Sequence, residues 1–432
     1  MTPAARLQAA IELLDRIETE APAADWIMRD YFRKRRYAGS GDRRAVGQIV
    51  FTVLRQRGLI DWRLAQAKLP NDNRLRAFLS LLLEEVAAAL PGEAGAHGPV
   101  PPTADESAAL DLAQALDTSQ APLPDRAGFP AHLLADLTET YGAGVEQELL
   151  AQLQDVAAVD IRVNSQKSDR DTVLARLETD GIGATASGWT GTAIRLAGRP
   201  NLNAHPLLSD GTIEIQDAGS QLVSALVGVE PGQQVADFCA GAGGKTLAMG
   251  ARMENRGELH ALDVDVRRLE RLRARATRAG LRNVQSRRIE PEGDLPEELI
   301  GRMDRVLVDA PCSGSGTWRR QPEQRWRLDA ARLEQHQQRQ IQIAGRAAAL
   351  LRPGGLLIYV TCSILRAENE IVITELQRQL PHLVRIDCRD MAVKAGVSLP
   401  DDAVTDAGEL RLSPYCHGVD GFFAAVLRSD IR

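Results

Sequence analysis

Apolar residues in the first 90 positions recur at intervals near 3.6 residues. The spacing is clearest in ARLQAAIELLDRI and AVGQIVFTVLRQRGLIDWRLA, and it is typical of amphipathic helices with one buried face. A stretch dense in Pro and Gly follows at 91–106, a further helix is predicted at 105–117, and APLPDRAGFP at 121–130 forms a second break. These features predict a helical N-terminal domain over residues 1–125.

The pattern becomes mixed in the middle of the chain. Helical spacing in AHLLADLTETYG and VEQELLAQLQ precedes the strand-like DIRVN, a helix at 168–179 and several short strand-like runs to about residue 216. A helix over 218–228 leads into the last part of the chain. We therefore predict a small α+β domain over residues 126–228, which links the outer parts and contributes to RNA binding.

From about residue 231, strand-like apolar runs alternate with helical segments. The strand candidates are QQVADFC, GELHALDVD, DRVLVDAPC and GLLIYVTCS, with helices notably at 266–279 and 329–350. Repeated βα units imply a doubly wound parallel sheet, whose ligands lie beyond the carboxyl ends of the strands. The closing GVDGFFAAVLR is expected to add an antiparallel strand. This pattern predicts a C-terminal α/β, Rossmann-like domain over residues 229–432.

Composition adds few restrictions to this multidomain picture. The chain has 432 residues, of which 44% are hydrophobic and 25% are charged, as in ordinary soluble proteins. No apolar run is long enough to span a membrane, and the N-terminus lacks the apolar core of a signal peptide, so we expect a cytoplasmic protein. The five cysteines are far apart, which argues against disulfides and a CxxC zinc site, and no metal is expected.

The net charge of −6 does not suggest a nucleic-acid partner, but the arginines cluster. One cluster is Arg33-Lys34-Arg35-Arg36, and another places nine arginines within 267–288. In a third, Arg319, Arg320, Arg325 and Arg327 surround Trp318 and Trp326. We predict an RNA contact for Trp318-Arg319-Arg320, because basic groups that alternate with aromatic rings suit phosphates and unstacked bases. A solvated helix face explains 267–288 equally well.

A glycine-rich turn, DFCAGAGGKT at 237–246, follows the first strand of the alternating region. Glycines let the backbone approach a ligand closely. The turn is not a Walker A loop, because Cys239 stands where glycine is needed, and Thr246 breaks the GxGxxG pattern. Asp263 or Asp265, about 20 residues later, suits a ribose diol. Together these features predict a nucleoside-containing cofactor, either NAD or S-adenosylmethionine.

Two cysteines follow the next strand candidates, Cys312 in DAPCSGSG and Cys362 in TCS. If those strands are neighbours, both thiols face one cleft beside Asp309. A thiolate that adds to carbon 6 of cytosine makes carbon 5 able to attack a sulfonium methyl group, after which a base removes the carbon 5 proton. Asp309 is placed to stabilise the adduct at ring nitrogen N3. Cys388 and Cys416 have no such setting and are interpreted as ordinary packing residues.

These motifs resemble those of the Nop/Sun family of RNA 5-methylcytosine methyltransferases, and the likeness extends over residues 131–432. The family signatures CAAPGGKT, D-x-D, DAPC and TCS correspond here to CAGAGGKT, DVD, DAPC and TCS, in the same order. IRVN, IQDAGSQL and LLRPGGLLIYVTCSILRAENE also match family segments. The first 90 residues resemble the NusB-like helical domain of the bacterial Sun subfamily, which modifies small-subunit ribosomal RNA.

The resemblance implies a role for each matching position. Cys362 is the implied nucleophile, Cys312 helps to release the product, and Asp309 lies between cofactor and base. The implied catalytic residues are Cys362, Cys312, Asp309 and Lys245. The implied cofactor-binding residues are Cys239, Ala240, Gly241, Ala242, Gly243, Gly244, Lys245, Asp263, Glu290 and Asp309, with Asp263 on the ribose and Glu290 near the adenine. Ala242 replaces the family's Pro, and Gly241 replaces its second Ala.

The activity that the resemblance implies is S-adenosylmethionine-dependent methylation of cytosine carbon 5 in 16S ribosomal RNA, by a chain we expect to be a monomer. A transfer-RNA cytosine methyltransferase of the same family, a non-catalytic RNA-binding assembly factor and an NAD dehydrogenase are the alternatives. Both cysteines, Lys245 and Asp309 are present, which argues against the assembly factor. The missing GxGxxG pattern and the TCS cysteine argue against the dehydrogenase.

Overall fold

The computed structural model describes residues 1–84, 97–153 and 157–431, which form two compact units. Unit 1 comprises Met1–Val156 together with Trp318–Asp329, and unit 2 comprises Ala157–Thr317 and Ala330–Arg432. The first part of the predicted Pro- and Gly-rich loop, residues 91–96, lies outside the described residues. The division into three domains at residues 125 and 228 stays a prediction.

Unit 1 is built from helices, as the apolar spacing predicts. The helix α3, Ser40–Gln66, packs against α1 and α4, and its apolar face contributes Val50 and Ile60 to two buried clusters. The short helix predicted at 105–117 is α5. The helices of this unit are α1 Pro3–Thr19, α2 Ala24–Arg33, α3, α4 Asn73–Leu83, α5 Ala104–Ala115, α6 Leu123–Arg126, α7 Leu134–Tyr141 and α8 Val145–Ala151.

The segment Trp318–Asp329, from the second half of the chain, completes unit 1. The ring of Trp318 is fully buried and lies 5.2 Å from the ring of Phe129, centroid to centroid. Arg325 is also fully buried and donates hydrogen bonds to the carbonyl oxygens of Gly128, Gln152 and Trp318. This arginine therefore satisfies backbone acceptors that would otherwise be buried without a partner.

The predicted RNA contact at Trp318 and Arg319 is wrong. Both side chains are buried, with Arg319 only 2% exposed, so neither can stack on a base or reach a phosphate. The alternation of basic and aromatic residues is instead a packing pattern, since aromatic rings fill the interior and guanidinium groups bind carbonyl oxygens. Arg327 behaves in the same way at the end of α1, where it donates to the carbonyl oxygens of Ile17 and Glu20.

Unit 2 contains a small antiparallel sheet with the strand order β2-β3-β1-β4. The strand predicted at DIRVN is β1, and the helix predicted at 168–179 is α9, whose Val173 and Leu177 are buried against Ile161 and Ile194 of the sheet. The elements of this part are β1 Val159–Val163, α9 Arg170–Thr179, β2 Ala184–Ala186, β3 Ala193–Leu196, α10 Pro206–Ser209, β4 Ile213–Ile215 and α11 Ala218–Leu226.

The larger sheet of unit 2 has the order β10-β12-β9-β8-β5-β6-β7, with β11 paired to β12. The pairs from β9 to β7 are parallel, and β12 joins β9 antiparallel as predicted. Its elements are β5 Gln234–Asp237, α12 Gly244–Arg252, β6 Glu258–Asp263, α13 Val266–Ala279, β7 Val284–Arg288, β8 Met303–Asp309, α14 Ala330–Ala348, β9 Leu351–Thr361, α15 Glu370–Gln379, β10 Leu383–Ile386, α16 Cys388–Ala395, β11 Leu410–Leu412, α17 Pro414–His417 and β12 Phe422–Ser429.

The strand order determines where the site lies. The parallel strands β5, β6, β8 and β9 end at Asp237, Asp263, Asp309 and Thr361, and their carboxyl ends meet at one edge of the sheet. The neighbours β8 and β9 confirm that the turns carrying the two cysteines are adjacent. Within the described parts of the chain, no helix has both the length and the apolar character needed to cross a membrane.

Candidate active site

A cleft of about 1640 Å³ opens at the carboxyl edge of the larger sheet, within unit 2. The glycine-rich turn, the ends of β6, β8 and β9, and one face of α14 line it. The sequence-predicted residues that line the cleft are Cys239, Ala240, Gly241, Ala242, Gly244, Lys245, Asp263, Asp309, Cys312 and Cys362. Gly243 and Glu290 are the two predicted residues that do not.

Gly243 has a structural role behind the glycine-rich turn. Its φ of +90° is a backbone conformation that side chains disfavour, and an added Cβ would lie 2.7 Å from Cγ of Leu272. The tight turn lets α12 begin at Gly244, where no side chain caps the helix. The first N–H groups of this helix therefore lack intrahelical partners and favour an anionic group such as a carboxylate.

Asp263 holds the glycine-rich turn from the end of β6. Its carboxylate accepts hydrogen bonds from the backbone N–H of Gly241 at 2.8 Å and from that of Asp265 at 2.8 Å, one on each oxygen. Each oxygen keeps a further lone pair that could accept from a ribose hydroxyl. Asp265 is the N-cap of α13, where its side chain accepts from Arg267 and Arg268. The geometry therefore favours Asp263 over Asp265 at the cofactor.

Glu290 is exposed and pairs with Arg288, outside the cleft. Its neighbours Ile289 and Pro291 line the cleft, and so does Glu292, an acid that the sequence reasoning missed. The strand β7 ends at Arg288, and the residues after it follow an irregular path whose side-chain directions no periodicity predicts. Glu292 is therefore the acidic side chain that the structure places in this part of the cleft.

Lys245 and Asp309 form an ion pair inside the cleft, with Nζ 2.7 Å from Oδ2. The ammonium group is largely buried, and it lies 5.4 Å from the centre of the Phe422 ring. Burial by itself would lower the pKa of Lys245, but the charge and hydrogen bond of Asp309 raise that pKa above its usual value. Lys245 therefore stays a cation and fixes the orientation of the Asp309 carboxylate.

The two cysteine sulfurs, Sγ of Cys312 and Sγ of Cys362, lie 3.4 Å apart. The backbone supports this approach, because the N–H of Gly316 donates to the carbonyl oxygen of Cys362 at 2.9 Å. The hydrogen bond to Cys362, followed by burial, raises the pKa of Cys312 well above that of a free thiol. Cys312 is consequently held as a neutral thiol.

A buried carboxylate, Glu368, connects the two cysteine turns. Its Oε1 accepts from the backbone N–H of Ser313 at 2.8 Å and from the side-chain amide of Gln340 at 3.0 Å. Its Oε2 accepts from the hydroxyl groups of Ser313 and Ser363, both at 2.5 Å. Four donors on one carboxylate leave it little freedom, so it fixes the residues that directly follow Cys312 and Cys362.

Sequence reasoning missed Glu368. An acid just before a helix, as Glu368 stands before α15, is common because it favours the positive end of the helix dipole. The signal that could have found it is its position five residues after the TCS motif, in a segment that already matched the family. Its zero exposure, which distinguishes it from a surface acid, is visible only in the structure.

Comparison with known proteins places the chain among ribosomal RNA methyltransferases. Residues 224–428 match the family described as 16S rRNA methyltransferase RsmB/F, and residues 129–203 match its ferredoxin-like domain. The ribosomal RNA small subunit methyltransferase B of Xylella fastidiosa (strain 9a5c) is 32% identical over 420 residues, which cover 90% of this chain and 92% of that protein. The chain belongs to the RsmB/F family. The likeness to Nop/Sun enzymes is thereby confirmed.

Two further relatives agree with membership of the RsmB/F family. A probable ribosomal RNA small subunit methyltransferase B from Synechocystis sp. (strain PCC 6803) is 30% identical over 321 residues, which cover 72% of this chain and 69% of that protein. The crystal structure of PH0851 is 25% identical, has a TM-score of 0.77 and covers 99% of both chains. The multidomain architecture with a Rossmann-like methyltransferase fold is therefore shared along the whole chain.

S-adenosylmethionine is the cofactor of this RsmB/F methyltransferase, as predicted. The residues of the cleft fit such a group. The uncapped start of α12 suits a methionine carboxylate, and Asp263 has lone pairs for ribose hydroxyls. In addition, Oδ1 of Asp237 is buried in the lining of the cleft without a hydrogen-bond partner among the described residues. This orphaned oxygen can accept from a donor on the cofactor.

The remaining cysteines carry no evident chemistry. Cys239 lines the cleft, but burial raises the pKa of its thiol and keeps it neutral. Cys388 is buried in the core between α16 and the larger sheet, and Cys416 is exposed. Within the described ranges, no group of three or more His, Cys, Asp or Glu side chains could hold a metal ion.

We expect Asp237→Asn to change the pH dependence of stability. Burial raises the pKa of Asp237 to about 7, although the hydrogen bond from Thr246 opposes this. Because the folded-state pKa exceeds that of the unfolded chain, the contribution of Asp237 is fully present below about pH 4 and is lost as the pH rises through 7. Asparagine cannot ionise, so the Tm of the variant minus the Tm of the wild type should increase as the pH rises from 5 to 8. Parallel Tm profiles, measured without cofactor, would contradict this assignment.

Proposed function

We propose that this RsmB/F methyltransferase methylates carbon 5 of a cytosine in 16S ribosomal RNA through a covalent adduct with Cys362. The observation that carries the proposal is the pair of thiols, Cys312 and Cys362, whose sulfurs lie 3.4 Å apart in the cofactor cleft. Methyl transfer to oxygen or to an amino nitrogen needs no thiol. Carbon 5 of cytosine does, because it is a weak nucleophile until a thiol adds covalently to carbon 6.

The geometry supports different chemical roles for the two thiols. Cys312 is held as a neutral thiol, and Cys362 is the thiol that gives up its proton as its sulfur forms a bond to carbon 6 of the base. Carbon 5 then gains electron density and takes the methyl group that the bound cofactor supplies. The hydrogen bond to Cys362, which raises the pKa of Cys312, is lost once Cys362 is bonded to carbon. Cys312 can then release its proton to solvent, after which its thiolate accepts the carbon 5 proton and Cys362 leaves as a thiolate.

Asp309 and Lys245 act on the polar edge of the base. Addition at carbon 6 makes nitrogen N3 basic, so N3 takes up a proton from solvent, and the resulting N3–H can donate to the Asp309 carboxylate until that proton is given back when Cys362 leaves. Lys245 holds that carboxylate at 2.7 Å, so its orientation is fixed before the base arrives. Asp263 and the turn from Cys239 to Lys245 bind the cofactor in this proposal.

The N-terminal part, residues 1–125, is proposed to be a NusB-like RNA-binding domain, followed by an α+β domain over 126–228 and the catalytic domain over 229–432. Arg33 and Lys34 of unit 1 are 75% and 65% exposed at the side chain, although both pair with Asp30. Exposed cations at the end of a helix suit the phosphates of RNA, and their contribution would decrease with rising salt.

Bisulfite sequencing of total RNA tests the proposed reaction. A strain that lacks the protein should lose one methylated cytosine in 16S ribosomal RNA, and the wild-type gene should restore it. Cys362→Ala should not restore it, although the protein is present at the same level. Loss of a transfer-RNA site would favour the transfer-RNA alternative. No change at any cytosine would favour an assembly factor without catalysis.

A further inference from the structure

Arg275 connects the glycine-rich turn to the small sheet of unit 2. From α13, its Nη1 donates to the carbonyl oxygen of Ala242 at 2.6 Å, and its Nη2 donates to Oε2 of Glu214 in β4 at 2.9 Å. The Glu214 side chain is only 6% exposed and that of Arg275 is 24% exposed, so this ion pair is partly shielded from solvent. A buried carboxylate thus holds the arginine, and the arginine holds the backbone of the turn.

The glycine-rich turn is flexible around Ala242, so a restraint from outside would order it. Ala242 lies between Gly241 and Gly243, which have φ values of +55° and +90°. Glycine has the largest conformational freedom of all residues, so two of them around an alanine form a flexible segment. Ala242 also replaces the proline of the family signature CAAPGGKT, whose ring would fix one backbone angle. The bond from Arg275 to the Ala242 carbonyl restricts the same peptide segment from outside.

We propose that Arg275, held by Glu214, is a positioning residue that keeps the glycine-rich turn in its cofactor-binding conformation. Neither side chain lines the cleft, so the effect acts through the turn and involves no direct contact with the cofactor. The inference rests on the proposed role of the turn in cofactor binding. It makes the small sheet, through β4, a contributor to cofactor affinity.

Arg278 is a matched control on the same helix. Its Nη2 donates to Oε1 of Glu214 at 2.7 Å, so it shares the carboxylate partner and a similar degree of burial. None of its described hydrogen bonds reaches the turn. Replacing Arg278 therefore removes a comparable ion pair and leaves the bond to Ala242 in place.

The experiment compares S-adenosylmethionine binding by calorimetry for the full-length wild type, Arg275→Met and Arg278→Met. Loss of a charged hydrogen bond that orders the turn should weaken binding by Arg275→Met about tenfold, while Arg278→Met stays close to the wild type. The KM for S-adenosylmethionine should rise in Arg275→Met, and the KM for RNA should not. Equal weakening in both variants overturns the inference, because it indicates a general effect of the ion pairs.

A second substitution tests whether the turn carries the effect. Ala242→Pro stiffens the turn without the arginine, and it should restore most of the affinity in the Arg275→Met background. Failure to restore affinity, in a double variant whose Tm matches that of Arg275→Met, overturns the inference. If the double variant is too unstable, Arg275→Lys must show an intermediate affinity, since one ammonium group cannot make both bonds at the same geometry.

Asp263→Ala separates this inference from the proposed cofactor site. If the turn holds the cofactor, Asp263→Ala weakens binding roughly ten- to a hundredfold through lost charge-assisted hydrogen bonds. If Asp263→Ala binds weakly while Arg275→Met and Arg278→Met have equal affinities, the positioning role of Arg275 is rejected and the proposed cofactor site is retained. Unchanged affinity in Asp263→Ala rejects the site itself, and the role of Arg275 with it.

Discussion

Cys362→Ala should lose methyl transfer by roughly a thousandfold or more and form no covalent bond to RNA, because no thiol then reaches carbon 6. Cys312→Ala should fail differently. It should still form the adduct with Cys362 but resolve it slowly, since the group that accepts the carbon 5 proton is missing. A trapped protein–RNA species should therefore accumulate in Cys312→Ala and survive denaturing electrophoresis.

The two thiols lie so close together that the assignment of their roles needs this separate readout. Cys416→Ala serves as the control, because Cys416 is exposed and lies outside the cleft. It should retain wild-type activity and accumulate no adduct. If Cys362→Ala accumulates the adduct and Cys312→Ala forms none, the roles are reversed, and the Pro-Cys thiol is the nucleophile.

Glu368→Gln is expected to lower the single-turnover rate of methyl transfer about a hundredfold. Glutamine has an NH2 group in place of one carboxylate oxygen, and this group cannot accept the hydrogen bonds that the oxygen receives. The residues after Cys312 and Cys362 would therefore move apart. Displacements of about 1 Å at reacting groups have effects of this size. Cofactor affinity should stay close to that of the wild type, because Glu368 does not line the cleft.

Glu375→Gln provides a matched control on α15, since its carboxylate bonds Arg378 and Gln379 near the surface. It should leave the rate of methyl transfer unchanged. Equal losses of activity in the two variants, or loss of cofactor binding together with a much lower Tm in Glu368→Gln, would show that Glu368 supports the fold in general. A loss confined to the transfer rate supports its role in placing the two thiols.

The regular parts of the fold were predictable because they depend on local periodicity. The helix predicted at 266–279 is α13, and the four strand candidates from QQVADFC to GLLIYVTCS are β5, β6, β8 and β9. The alternation of strand and helix also placed Cys312 and Cys362 in one cleft. By contrast, β7 was not predicted, because VQSRR is polar and mostly exposed and gives no apolar signal.

Other features depend on contacts between residues far apart in the chain. The prediction for Trp318 and Arg319 failed because a local pattern cannot reveal that Phe129 is the ring beside Trp318. Glu290 was placed by counting from the end of a strand, but an irregular loop decides that Glu292 lines the cleft instead. The network of Glu368 joins turns that are 50 residues apart, from Cys312 to Cys362, and only the sheet brings them together.

The discontinuous composition of unit 1 has a consequence for the order of synthesis. Residues 157–317 leave the ribosome after the first part of this unit and before Trp318–Asp329, which completes it. At about 5–20 residues per second, this interval lasts roughly ten to thirty seconds. During that time the ring of Phe129 and the carbonyl oxygen of Gly128 lack the native partners that Trp318 and Arg325 supply. The part of the chain made first therefore stays incomplete until Asp329 has been added.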